Sequence, residues 1–359
     1  MGPSVVDLRP EAVGGTAPGL DADSSAAGVS IDVLHVTAVR GEERASELGG
    51  GRQSCPITVI VCAQNEELNL RQCLVSVDWA EQVIVVDGGS RDSTPAMASA
   101  IGAELVVHAW EGYAVQKNWA LDNLPIRHDW VLFLDADERV SAELAEEIAS
   151  KVADRSAPIA GYYVARRFVF MGRWLRRCFW YPDYNLRLFR RADGRFESRL
   201  VHETVVVDGP VGYLTNDLIH DDQRDLATYI SRLNRYSSLE AQEIHRIRTG
   251  RRSGQIQPSW RGTWGQRRRA LKERVWYRLP FRPLARFVWT MVLKRGFLDG
   301  REGLIFTILA CITDWQAQAK VHEIAVRHRL GLPQATPMPE LSPLGRRTDL
   351  VGRVGGSSL

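Results

Sequence analysis

Asp135-Ala136-Asp137-Glu138 follows directly on the apolar run Val131-Leu132-Phe133-Leu134. Two carboxylates spaced i, i+2 at a strand end can hold a divalent cation on a diphosphate. Mg²⁺ and Mn²⁺ take oxygen ligands, and such ions are usually bound by one or two carboxylates plus substrate phosphates. The place is right as well: parallel strands buried on both faces read as continuous apolar runs, and ligands of open α/β sheets bind outside their carboxyl ends. Asp residues there serve equally well to cap a following helix, and the motif alone does not separate the two.

The elements that must position such a site lie just before it. Ile57-Thr58-Val59-Ile60-Val61-Cys62 is a β-branched run ending in Ala63-Gln64-Asn65-Glu66-Glu67, with an amphipathic stretch from Leu68 to Val77 behind it. Val83-Ile84-Val85-Val86 ends in Asp87-Gly88-Gly89-Ser90, after which Asp92, Ser93 and Thr94 offer helix-capping side chains before Pro95. That helix is predicted to end near Gly102, and Glu104 to His108 reads as a third strand. Apolar strands ending on polar turns with helices between them predict a parallel, right-handed βαβ sheet.

At 359 residues the chain can bury a sizeable core in one large domain or two small ones. Residues 1–53, rich in Gly, Ala, Ser and acidic side chains, are read as a disordered leader and 331–359 as a flexible tail. No basic stretch followed by an apolar one opens the sequence, so no secretory signal is expected. Cys55, Cys62, Cys73, Cys178 and Cys311 show neither a paired framework nor C-x-x-C spacing, which fits a reducing cytoplasm and argues against zinc.

The net charge of +3 is small, but its distribution is uneven. Basic residues crowd the stretch from Arg246 to Arg286, opposed mainly by Glu273 and interleaved with Trp260, Trp264, Trp276, Tyr277, Phe281, Phe287 and Trp289. Aromatic rings that keep one end apolar and the other wet suit the headgroup level of a membrane, and the basic charge suits anionic lipid. A solvated helix face is the plainer alternative. Nucleic acid is the rival partner, disfavoured because no RNA- or DNA-binding signature accompanies the charge. Gly303 to Ile312 is apolar for about ten residues, short of the roughly 20 a spanning helix needs. It is expected to dock on a bilayer surface or to form a helical hairpin with Phe287 to Leu293.

Taken in order, Asn65-Glu66, Val86-Asp87-Gly88-Gly89-Ser90-x-Asp92-Ser93-Thr94, Gln116-Lys117-Asn118 and Leu134-Asp135-Ala136-Asp137-Glu138 resemble family 2 glycosyltransferases. Trp180 to Arg190, Val201-His202-Glu203 and Gly296-Phe297-Leu298-Asp299-Gly300 are most similar to the bacterial lipopolysaccharide-core β-1,4-glucosyltransferase-like branch. The resemblance spans roughly residues 56–330. It implies an α/β fold of the GT-A type, a Rossmann-like, mostly parallel sheet over 54–240, with C-terminal amphipathic helices in a membrane-associating region over 241–330. It further implies a nucleotide-diphosphate sugar as donor, UDP-glucose, and a glycolipid acceptor at the inner face of the cytoplasmic membrane. A polyprenyl-linked acceptor, or a catalytically silent sugar-nucleotide-binding protein, would use the same scaffold.

Roles follow from the resemblance. Asp137 is expected to ligate Mg²⁺ or Mn²⁺ directly, with Asp135 bonding the ribose or reaching the metal through water. Asn65 and Glu66 would bond the base or ribose, or else merely cap. Asp87 would bond the uracil or ribose, with Gly88 allowing close backbone approach. Lys117 could neutralise diphosphate charge, unless it is an ordinary solvated lysine. Inverting transfer needs a general base on the acceptor side. Glu203 is the first candidate, with His202 to orient it, bind metal or bind acceptor phosphate, and Asp183 is the alternative. The family often places this base in a Glu-Asp or Asp-Asp pair, from which His202-Glu203 departs. Arg187 and Arg190 fall on opposite faces of a strand, so only one can meet an anionic acceptor there.

Overall fold

The computed structural model describes residues 54–333 except 155, 157, 180, 198–203, 251–257 and 262–263. The expected leader, residues 334–359 of the expected tail, and Trp180, His202 and Glu203 lie outside the described residues.

Apolar strands alternate with helices in β1 (Cys55–Ala63), α1 (Leu70–Val75), β2 (Ala80–Asp87), α2 (Thr94–Ala100), β3 (Glu104–Val107), α3 (Tyr113–Asn123) and β4 (Trp130–Asp135). The order β3-β2-β1-β4 is parallel throughout, which is the expected α/β arrangement. Because side chains alternate across a strand, each run feeds two cores. Val59, Val61, Val85, Leu132 and Leu134 meet Leu70 and Leu74 of α1 on one side, whereas Ile60, Ile84, Val131 and Phe133 meet Leu121 of α3 on the other.

The chain continues through β5 (Glu138–Val140), α4 (Ala142–Ala153), β6 (Gly161–Phe170), β7 (Arg173–Trp174), β8 (Asp183–Arg190), β9 (Gly194–Phe196), β10 (Val205–Val207), β11 (Val211–Tyr213) and β12 (Leu218–Asp221). β8 joins β4 antiparallel, and β6, β12 and β5 follow in that order. Only Ala136 and Asp137 separate β4 from β5, yet β5 pairs with β12 at the far end of this row. The row β4-β8-β6-β12-β5 therefore curls back on itself. Its closing point is the Asp135 to Glu138 turn, so the fold puts the two candidate carboxylates where the two ends of the arc meet.

Four helices complete the described chain: α5 (Leu226–Arg248), α6 (Trp264–Arg274), α7 (Arg282–Phe287), which runs on into a π-helical stretch at Val288–Leu293, and α8 (Gly300–Arg329). α5 passes residue 240 unbroken, so the helical part of the chain starts at Leu226. Asp314 of α8 accepts from Arg282 at 2.7 Å and also from Arg286, which clamps the hairpin of α7 and α8. The Gly296 to Gly300 motif makes its turn. A Cβ at Gly296 would sit 2.6 Å from the Thr290 carbonyl oxygen, and Gly300 has φ +73°. Asp299 within the motif accepts from the backbone N–H groups of Arg177 and Cys178 at 2.8 and 2.7 Å, tying the hairpin to the sheet. No helix of the described residues is long and apolar enough to cross a membrane.

Candidate active site

The β1–α1 and β2–α2 loops are stitched to each other. Asn65, in the left-handed region with φ 54°, donates its N–H to Ser90 Oγ at 2.8 Å and accepts the Arg91 N–H on Oδ1 at 2.9 Å. The Glu66 and Glu67 N–H groups reach Thr94 Oγ1 and Asp92 Oδ2. Thus Asp92 and Thr94, expected as caps of the next helix, also fasten the neighbouring loop, while Ser93 makes no side-chain cap bond. Asp87 is fully buried and accepts from the N–H groups of Gly89 and Ser90 at 3.1 and 2.9 Å and from the Ser90 hydroxyl. Gly88 donates to the Ala63 carbonyl at 2.8 Å, and a Cβ on it would come 3.2 Å from Gln64 Cβ. Asp87 and Gly88 therefore shape this double loop.

At the closing point of the arc, Asp135 is gripped by two cations: Lys117 Nζ at 3.1 Å and Arg187 Nη2 at 2.5 Å. Lys117 is not a solvated lysine; it is 3% exposed on α3. Arg187 also reaches Glu138 Oε1 at 2.6 Å, and Glu138 Oε2 accepts the Asp135 N–H at 3.1 Å. Arg190 lies on the other face of β8, stacked over Trp130 at 4.6 Å. Burial pushes the Asp135 carboxyl up, but Arg187 and Lys117 outweigh it and hold Asp135 well below the usual carboxylate range.

Asp137 faces different partners. His220 Nε2 of β12 lies 3.3 Å from its Oδ2, with Arg232 at 3.7 Å and Arg224 at 3.8 Å. Burial again opposes ionisation, and His220 is the strongest influence keeping Asp137 ionised below its ordinary range. Burial likewise disfavours a charged His220, but Asp137 raises it. Asp222 joins the cluster by accepting from Arg224 at 2.8 Å and Arg232 at 2.7 Å.

Glu66 belongs to this cluster and does not merely cap. Its Oε1 pairs with Arg224 Nη1 at 3.0 Å, and its Oε2 accepts from Asn69 Nδ2 at 2.7 Å. Burial pushes its carboxyl up to about 7 against the pull of Arg224. Asp183 stands at the start of β8, and its Oδ2 accepts from Arg166 Nη2 at 2.5 Å and Asn185 Nδ2 at 3.1 Å. Arg166 in turn lies 3.5 Å from Glu138, so one chain of charges runs from Asp183 through Arg166, Glu138 and Arg187 to Asp135. On either side of the undescribed Glu203 segment, β9 pairs with β10, and Glu197 donates its N–H to the Thr204 carbonyl at 2.9 Å.

With this geometry the chain can be set beside known proteins. The sequence profile described as Glycosyl transferase family 2 matches residues 58–204. The chain carries a family 2 glycosyltransferase domain. The lipopolysaccharide core biosynthesis glycosyltransferase LpsC of Rhizobium meliloti is 29% identical over 279 residues, covering 74% of this chain and 93% of the relative. An uncharacterized glycosyltransferase of Rickettsia typhi is 26% identical over 76% of this chain and 89% of its own length. Among solved structures, S. aureus TarS 1–349 in complex with UDP-GlcNAc aligns with 78% of this chain and 93% of that one at 13% identity and TM-score 0.39.

The donor set of the glycosyltransferase fits a hard divalent cation. Asp135 and Asp137 offer ionised carboxylate oxygens side by side at the turn where the arc closes, the ligand type such an ion prefers. No group of three or more His, Cys, Asp or Glu side chains among the described residues is placed to hold a metal. The remaining positions would fall to diphosphate oxygens and water, as is usual for Mg²⁺. Sequence reading missed Glu138, Arg166, His220, Arg224, Arg232 and Asp222. A signal existed for some: Arg166-Arg167 interrupts an apolar strand, and His220-Asp221-Asp222 ends another.

Proposed function

We propose that this family 2 enzyme is an inverting hexosyltransferase that moves glucose from UDP-glucose to a membrane-held glycolipid, in assembly of a lipopolysaccharide core or related envelope glycan. The observation that carries the reading is the Asp135/Asp137 pair at the closing point of the arc, its two carboxylates ionised and differently partnered. Asp137 would be the direct ligand for Mg²⁺ or Mn²⁺. When bound, the ion supplies Lewis-acid stabilisation of the charge that develops on the departing diphosphate. Asp135 is clamped between Lys117 and Arg187, which would leave it to bond the ribose or reach the metal through water, while Lys117 would add positive charge for a diphosphate.

The double loop of Asn65, Asp87 and Gly88 forms the nucleoside end of the site, and Glu66 links it to Arg224 on the acceptor side. Glu203 acts as general base, activating the acceptor hydroxyl on the face opposite the leaving diphosphate, with His202 beside it in sequence. Asp183, bound to Arg166, is the alternative base. The acceptor reading is supported by the LpsC relative and by the exposed apolar surface of the α7–α8 hairpin. The enzyme would then work at the inner face of the cytoplasmic membrane.

The test is a panel of UDP- and GDP-sugars with a lipid-extract acceptor, with and without Mg²⁺ or Mn²⁺. Metal-dependent consumption of UDP-glucose with the sugar recovered in glycolipid is the expected result. Label appearing in polyprenyl-linked lipid would replace the acceptor, turnover that survives chelation would remove the metal role, and donor binding without turnover would leave a sugar-nucleotide-binding protein.

A further inference from the structure

Away from the arc, a cavity of about 260 Å³ opens where α5, the start of α7 and α8 meet. Arg248, Tyr277, Arg278, Arg282 and Gln318 contribute to its wall, and no carboxylate does. Two of these polar side chains are partly committed. Arg248 Nη2 donates to the Tyr277 carbonyl at 3.1 Å, and Gln318 Nε2 donates to the Leu279 carbonyl at 3.0 Å. Arg282 is different. Its side chain is fully buried, its Nη2 reaches Asp314 at 2.7 Å and lies 3.5 Å from Glu240, its guanidinium stacks over the Trp276 and Tyr277 rings, and Nε and Nη1 have no hydrogen-bond partner among the described residues. A buried guanidinium left with unanswered donors is costly, and an anionic oxygen is the acceptor that answers it best.

The second observation lies beside the cavity. Pro280 of its wall is followed by Phe281, 73% exposed, which begins an apolar stripe through Leu284, Val288 and Val292. On α8, Leu304, Ile308, Ile312 and Trp315 repeat the stripe at helical spacing, all exposed, on a helix clamped to α7 through Asp314. Across 281–315 the acidic side chains are withdrawn from this face. Asp299 and Asp314 are buried and Glu302 lies 3.6 Å from Arg173, whereas Arg295 and Arg301 are exposed. An apolar face of this extent with basic and no acidic exposed charge is complementary to the surface of an anionic bilayer.

We propose that the Arg248/Arg278/Arg282 cavity is a binding site for the phosphate of an anionic lipid headgroup, and that the Phe281 to Trp315 hairpin rests in the lipid around it. The cavity falls just short of the roughly 300 Å³ at which pockets for drug-sized molecules begin, so it suits a headgroup and not a whole lipid. The inference deepens the reading of a membrane-held acceptor, but it concerns attachment and not transfer. Vesicle binding is measured with no sugar donor present, so its failure leaves the transferase reading standing.

The experiment is flotation of the full chain with phosphatidylglycerol vesicles and, separately, phosphatidylcholine vesicles, alongside melting in inorganic phosphate alone. The wild-type protein is expected to float with phosphatidylglycerol at least about ten-fold better than with phosphatidylcholine. Each arginine near an anionic surface is worth about five-fold in partition, so R248Q/R278Q should lose about 25-fold while still melting cooperatively, and R278Q alone should lose about five-fold with its melting temperature unchanged. Leu284→Ser with Val292→Ser should weaken flotation with both vesicles, marking the apolar part. Equal flotation with both lipids, or full phosphatidylglycerol binding by R248Q/R278Q, would overturn the headgroup site. A melting shift in phosphate with no flotation at all would make it a site for free anions and overturn the lipid.

Discussion

The two halves of the sheet are built on different principles. From β3 to β4 the strands are parallel and apolar on both sides, and most of the polar groups sit in the loops at their carboxyl ends, satisfied by bonds between adjacent loops. From β8 to β5 the strands carry charge inside the arc: Arg187 and Arg166 pair with Glu138 and Asp183, and His220 of β12 faces Asp137. The first half gives a floor of packed apolar strands with its polar groups tied together at one edge. The second surrounds the Asp135/Asp137 turn with fixed charges of both signs, the arrangement that the proposed diphosphate and cation site would use. Preorganised charge of this kind is bought with burial, since each ion taken from water is costly unless it is paired.

The comparison can be broken by removing one member from each half. Arg187→Ala should have the largest effect: it leaves Glu138, fully buried, without its 2.6 Å partner, and should destabilise the protein by about 3–5 kcal/mol in urea unfolding. A second change, Glu138→Gln, should recover part of that loss by removing the stranded charge. Leu132→Ala in the parallel half should cost about 3 kcal/mol through the cavity it leaves, and no change of charge should rescue it. If Glu138→Gln fails to help Arg187→Ala, the arc is not held by charge pairing and the distinction between the halves falls.

A smaller effect sharpens the boundary between the two halves, where Glu66 meets Arg224. The Glu66 carboxyl rises from an ordinary 4.5 to about 7 in the folded protein. Between those values the folded chain keeps a proton that the unfolded chain releases. The contribution of Glu66 is therefore most favourable below about pH 4.5 and declines as pH rises through 7. Unfolding measured across this range should show a steeper decline for the wild type than for Glu66→Gln, and parallel curves would remove the titration from Glu66.

The same contrast explains what could be read from the residues in order. The runs at Ile57 to Cys62, Val83 to Val86 and Val131 to Leu134 announce themselves because each is locally apolar, and the structure places all of them in the parallel half. Asp135 and Asp137 were legible from their position at a strand end. Of their partners Lys117, on the helix just before β4, was legible too, whereas the contacts of Arg187, His220 and Arg232 were not, since these are brought in from β8, β12 and α5, far along the chain. The basic segment shows the same limit. It reads as unopposed charge, yet Arg269 is paired with Glu197 at 2.7 Å and Arg282 with Asp314 at 2.7 Å, both acids outside the segment. The Gly296 to Gly300 motif is now explained by close packing and a positive φ.

The measurement that bears most directly on the central claim is calorimetric binding of UDP to the wild-type protein and to Asp137→Ala, each with Mn²⁺ and with chelator. Asp137 is expected to make UDP binding metal-dependent in the wild type, and Asp137→Ala, melting as the wild type does, should bind UDP no better with Mn²⁺ than without. UDP binding that is indifferent to Mn²⁺ in the wild type, or that keeps its metal dependence in Asp137→Ala, would contradict the assignment of the Asp135/Asp137 turn as the metal and diphosphate site.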